Sequence, residues 1–148
     1  MVHMKNRQIV GLVEPVKIIG KKTVSVLALC DSGAQRTSVD VKVAAKAELG
    51  PVIKIAYVRN PSLKRQVTRP VVVAEIKIKG KTFNSEVNLQ DRSHMTFPMI
   101  IGRNILSGNF VVDAKKNQEL FKKFRKEKSN ESKSLQRLLF DYDSEVKK

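Results

Sequence analysis

Cysteine is nearly absent. A single one, Cys30, in 148 residues excludes an intrachain disulfide and a metal cage built from the cysteines of one chain. There is no tryptophan, and aromatic residues make up only 5%, so the stacking platforms on which most single-strand nucleic-acid binders rely are scarce. No apolar run approaches the roughly 20 residues of a membrane helix. The N-terminus lacks the apolar core of a secretory signal. These absences point to a soluble chain in a reducing, cytoplasmic interior, with no membrane partner. Acidic residues are also few, 14 against 29 lysines and arginines, for a net charge of +15.

The excess of positive charge is spread along the chain. Residues from Lys115 onward carry +5 and the preceding 114 carry +10, so it is not confined to a basic arm. Such a field attracts polyanions, whether acidic peptide or nucleic acid; without a recognisable nucleic-acid module, the second is weakly supported. The length matches one domain, and 41% hydrophobic with 29% charged residues is a composition that folds around a core.

Period-two apolar runs dominate the body. They predict strands over 9–19, 23–30, 52–59, 67–79, 83–89, 99–101 and 110–113, with a hairpin at Gly80-Lys81. In 23–30, Val24, Val26, Ala28 and Cys30 share one face, and Ser25, Leu27 and Leu29 the other. Both faces are largely apolar, as in a strand covered from two sides. An alanine-rich stretch predicts a short helix over 41–49, stopped by Gly50-Pro51. Many short strands with few helices suggest a closed β-barrel. Beyond Ala114, Leu120, Phe121 and Phe124, then Leu135, Leu138 and Leu139, fall at helical spacing. They predict one or two amphipathic helices, packed on the barrel or on a sister subunit or else serving to dock another protein or a membrane surface.

Chemistry concentrates in two segments. Leu27-Ala28-Leu29-Cys30-Asp31-Ser32-Gly33-Ala34 brings a carboxylate to the end of an apolar strand, followed by a hydroxyl and a glycine. Burying part of an aspartate there costs desolvation unless hydrogen bonds compensate. Some seventy residues later, Pro98-Met99-Ile100-Ile101-Gly102-Arg103-Asn104-Ile105-Leu106 runs from apolar residues into Gly-Arg-Asn. In this order and spacing, the pair resembles the retropepsin family of aspartic proteases. There an Asp-Thr/Ser-Gly-Ala loop faces an apolar-apolar-Gly-Arg-Asn segment that leads into a short helix.

Gly11-Leu12-Val13-Glu14, Thr37-Ser38, Arg69-Pro70-Val71-Val72, Asp91-Arg92-Ser93 and Phe110-Val111-Val112-Asp113 are similar to its cellular bacterial and archaeal branch. That branch was once labelled ATP-dependent zinc proteases and is associated with a RimK-type glutamate ligase. The resemblance implies a mainly β, closed retropepsin-like barrel over 9–114, the single-domain half of the acid-protease fold. Outside it, residues 1–8 read as an N-terminal leader or a cloning scar, the latter over Met1 to Met4, and 115–148 as a basic helical C-terminal extension. No metal or cofactor is implied. His-Glu-x-x-His is absent, and His94 reads as an ordinary loop histidine without a second histidine at ligand spacing.

Metal-free peptide hydrolysis needs a base for the water and an acid for the leaving amine. Two carboxylates about 3 Å apart serve as both by sharing one proton. Only one Asp-Ser-Gly occurs; Asp91 and Asp113 lack the following hydroxyl and glycine. The implied active unit is therefore a homodimer in which two copies of Asp31 meet on a two-fold axis. The resemblance further implies that Gly33 keeps the loop close enough for its amide to steady the carboxylate, Ser32 bonds across the interface, Gly102 leaves room beneath the loop and Arg103 braces the interface, with Ala34 and Asn104 as further active-site support. Viral members carry acids after the alanine, one of them pairing with the arginine; here Gln35 and Arg36 stand there, so Arg103 lacks that partner.

A flap hairpin over 52–73, with its tip at 60–66, would bring Lys64, Arg65 and Arg69 over a cleft also lined by Gln35 and Arg36. Those charges favour an acidic or glutamate-rich peptide. The alternative is a non-catalytic retropepsin-like module binding nucleic acid or an acidic protein. Cys30, on an apolar strand, reads as inert core.

Overall fold

The computed structural model describes residues 6–60 and 65–130. It is mainly β. The strands are β1 (Gln8–Val10), β2 (Val13–Ile19), β3 (Thr23–Cys30), β4 (Thr37–Asp40), β5 (Lys54–Asn60), β6 (Arg65–Ile78), β7 (Lys81–Gln90), β8 (Met99–Ile101) and β9 (Phe110–Val112). Three helices, α1 (Val41–Ala47), α2 (Arg103–Leu106) and α3 (Gln118–Asn130), complete the described residues.

Six strands close into a barrel in the order β2-β3-β8-β4-β7-β6, with β6 returning to β2, and β5 extends from β6 beyond it. The β3–β8 and β4–β7 pairings are parallel; the other barrel pairings are antiparallel. Closure leaves no open edge within the barrel. Its interior is filled by aliphatic side chains, Val16, Ile18, Val26, Ile76, Ile78 and Ile101 among them, all almost fully buried. β3 is covered on both faces as its pattern predicts. Val26, Ala28 and Cys30 belong to the barrel core, while Leu27 and Leu29 face a second core with Val13, Phe97, Phe124, Leu120 and Phe121. The C-terminal helix thus packs on the barrel through the residues that its spacing singled out. Leu135, Leu138 and Leu139 lie outside the described residues, as does His3.

Four expectations of local structure change. The single strand over 9–19 is two, because Gly11 donates its N–H to the buried Glu14 carboxylate and Leu12 donates to Lys116 O. These bonds turn the chain between β1, which pairs in parallel with β9, and β2. Helix α1 ends before Gly50-Pro51, at Glu48, which adopts a left-handed conformation (φ 54°). The β6–β7 hairpin turns on Lys79-Gly80, both at positive φ, rather than on Gly80-Lys81. Residues 37–40 form a strand that period alone did not signal. No helix among the described residues is long and apolar enough to cross a membrane.

Candidate active site

Asp31 leaves the end of β3 with its N–H donated to Ile101 O of β8 (2.9 Å). The chain then folds back: Ala34 donates its N–H to Asp31 O (3.1 Å), and Gly33 donates its N–H to Asp31 Oδ1 (2.9 Å). The carboxylate is half-buried and its loop partly open to solvent, with Ser32 and Gly33 exposed. An anionic acceptor and a backbone donor make a charge-assisted bond, which fixes the side chain without covering it.

The Gly-Arg-Asn segment lies against this loop. A Cβ on Gly102 would stand 2.5 Å from Arg36 C and 2.6 Å from Arg36 O, so only glycine permits this approach. Arg103 donates its N–H to Ala34 O (2.8 Å), and its guanidinium Nη1 donates to Ser32 O (3.1 Å). Arg103 therefore braces two carbonyls of the Asp31 loop from the start of α2. Thr37, fully buried, joins the segments: its Oγ1 accepts from Gly102 N (3.1 Å) and donates to Asn104 Oδ1 (2.8 Å), which also takes the Thr37 N–H (2.9 Å). Asn104 Nδ2 extends the bracing to Ser85 Oγ and Glu86 O of β7.

Gln35, Arg36 and Arg69 share one open cavity of about 470 Å³ with Ser38, Asn88, Gln90 and Tyr57. Arg69 Nε donates to Gln90 Oε1 (3.0 Å), which aims its guanidinium along the cavity wall. Among the described residues, no carboxylate lines this cavity. The β5–β6 hairpin extends beyond the barrel, paired as far as Asn60 and Arg65. Lys64 lies outside the described residues, and Arg65 is described only in its backbone.

Sequence reasoning missed two buried charges. Asp40 closes β4 and caps α1, its Oδ2 accepting the Lys42 N–H, while its Oδ1 accepts the Arg92 N–H (2.7 Å). Arg92, 3% exposed, donates Nε to Phe97 O (2.9 Å). An aspartate ahead of an alanine-rich stretch is a capping signal; nothing local to Asp91-Arg92-Ser93 marks its arginine as buried. Cys30 is inert in this setting. Burial first, and the Glu14 carboxylate second, push its thiol up to about 12, far above the range of a reactive cysteine.

A family model described as "Retropepsin-like aspartic endopeptidase RimB" matches residues 20–123. Among solved structures, a protein of unknown function (DUF785) from Legionella pneumophila is similar at 22% identity, with a TM-score of 0.52 over 73% of this chain and 94% of that one. The EIAV protease in complex with the inhibitor HBY-793 is similar at 19% identity, with a TM-score of 0.54 over 68% and 91%. At these identities the two structures speak for the fold. A comparison with curated proteins returned no match.

Proposed function

The chain belongs to the RimB-like family of retropepsin-like aspartic endopeptidases, and from that membership we propose that it hydrolyses peptide bonds as a homodimer through two copies of Asp31. The observation that carries this reading is the braced, half-buried Asp31 at the end of β3, in a chain that holds one Asp-Ser-Gly. One carboxylate, ionised, takes a proton from the attacking water, while its protonated twin donates a hydrogen bond to the scissile carbonyl. The resulting tetrahedral centre collapses as a proton passes to the leaving amine. The pair then again shares one proton. The Gly33 N–H keeps each carboxylate in position for these transfers, and Arg103, Thr37 and Asn104 hold the loop that carries it. The endopeptidase description of the family favours hydrolysis over a purely binding role.

The substrate reading follows from charge. A cavity beside the Asp31 loop holds Arg36 and Arg69 among neutral polar groups, a lining that welcomes a glutamate side chain by bidentate pairing. Acidic or glutamate-rich peptides are therefore the proposed substrates.

Steady-state cleavage of a glutamate-rich and a neutral peptide, with sedimentation of the same samples, tests both parts. Asp31→Asn abolishes turnover while the dimer persists; normal turnover by that variant refutes the catalytic assignment. Arg36→Glu and raised salt weaken cleavage of the acidic peptide more than of the neutral one. Equal losses on both would remove the acidic preference and leave the peptidase reading standing.

A further inference from the structure

The loop 91–98, between β7 and β8, carries a charge that the protomer leaves incompletely paired. Arg92 is buried to 3% exposure, and its Nη1 meets no hydrogen-bond partner among the described residues. A buried guanidinium N–H without an acceptor is costly and calls for a reason beyond packing. Two carboxylates offset the burial that draws this guanidinium below its usual pKa: Asp40, then Asp31. Arg92 Nε is committed to Phe97 O (2.9 Å) and the Arg92 backbone N–H to Asp40 Oδ1 (2.7 Å), so this residue ties the start of the loop to its end and to β4.

The loop is fastened at three points. Asp40 holds both ends, accepting the Arg92 N–H and donating its own N–H to Pro98 O (2.9 Å). The α3 helix holds the middle: Phe124 stacks on Phe97 at 5.2 Å and 12°, Phe121 adds a contact at 5.4 Å, and Lys128 Nζ donates to Ser93 O (2.8 Å). Pro98 leads directly into β8, whose Ile101 carbonyl accepts the Asp31 N–H. A continuous chain of contacts thus runs from α3 through Phe97 and β8 to the proposed catalytic carboxylate. Phe124 and Lys128 lie beyond residue 123, where the family match ends.

We propose that α3 and Arg92 form a positioning unit for Asp31: the helix clamps the 91–98 loop through Phe97, Arg92 ties the start of that loop to Phe97 O at its end, and the loop holds β8 against the Asp31 strand. The proposal rests on the aspartic-peptidase reading. Its consequence is that a C-terminal helix remote from the cleft controls turnover rather than substrate affinity.

The test compares kcat and KM of the full chain with those of Arg92→Leu, Arg92→Lys, Phe124→Ala and the Arg92→Leu/Phe124→Ala double variant, each normalised to folded dimer. Arg92→Leu lowers kcat by about tenfold or more with KM within about twofold, the signature of a loss confined to the chemical step. Arg92→Lys restores much of that loss because the charge and one donor return. Phe124→Ala lowers kcat by about threefold, and the double variant falls short of the product of the single effects, as for residues acting through one path. Unchanged kcat in Arg92→Leu, with only its stability reduced, overturns the proposal. Should that variant fail to fold, unchanged kcat in both Arg92→Lys and Phe124→Ala overturns it equally. Asp31→Asn run alongside separates the two readings: activity in that variant removes the catalytic assignment, whereas its inactivity beside fully active loop variants removes only the positioning unit.

Discussion

Replacing Gly102 with alanine adds one methyl group at the tightest joint of the candidate site. The φ of −96° at this position is open to any residue, so the whole cost is steric. The new Cβ would meet Arg36 C at 2.5 Å, Arg36 O at 2.6 Å and Thr37 N at 2.9 Å. Carbon atoms pack at about 3.5–4.0 Å, so the two backbones must part by roughly 1 Å. Those atoms are main chain and cannot swing aside. The same separation stretches Arg103 N to Ala34 O, now 2.8 Å, and Gly102 N to Thr37 Oγ1, now 3.1 Å, beyond useful hydrogen-bond length. Overpacking costs about 1–3 kcal/mol, and two lost hydrogen bonds add about 1 kcal/mol each. The expected loss is on the order of 3–5 kcal/mol. Urea unfolding reads it as a midpoint lower by about 1.5 M or more at an ordinary slope, and peptide hydrolysis falls by at least about tenfold as the Asp31 loop shifts. A variant that unfolds at the wild-type urea concentration and cleaves at the wild-type rate would refute the close-approach argument.

Thr37→Val keeps shape and removes the hydroxyl, leaving the buried Gly102 N–H without its acceptor; the expected loss is about 1–3 kcal/mol by urea titration, with Thr37→Ser milder, and equal stability of Val and Ser variants would contradict it. Cys30, with its thiol pushed up to about 12 from 9.0, resists alkylation in the folded protein at pH 8 and reacts once urea exposes it; rapid labelling under native conditions would count against this burial. The same shift makes stability fall as pH rises from about 9 to about 12, because the unfolded chain loses the proton first. The slope contributed by this group is about 1.4 kcal/mol per pH unit, and Cys30→Ala should flatten the curve by that amount.

Patterning along the chain made the strands legible wherever alternation or a two-sided apolar run was long. The 23–30 segment is the clearest case, since a strand buried on both faces needs apolar residues at every step. β4 was hidden because four residues, Thr37-Ser38-Val39-Asp40, are too few to display a period, and because their polar side chains bond to neighbouring segments, Thr37 to Asn104, Ser38 to Asn88 and Asp40 to Arg92, instead of forming a solvent face. The turn at Gly11-Leu12 was equally hidden, since a bond from Gly11 to Glu14 and another from Leu12 to Lys116 leave no mark on hydrophobicity.

Local residue identity by itself determined the aspartate loop, the Gly-Arg-Asn segment, the apolar face of the C-terminal helix and the surplus of positive charge. Each is written in a few neighbouring residues, because backbone freedom, hydrogen-bonding capacity and helical period are properties of short stretches. Only the tertiary structure decided that Arg103 turns to Ser32 O, that Thr37 and Asn104 join two strands and a helix, and that Arg92 is buried. Those outcomes depend on which segments the closed barrel brings side by side. Residues 50 to 70 positions apart meet through the pairings of β3, β4, β7 and β8, and no local pattern encodes what a charge will face across such a distance.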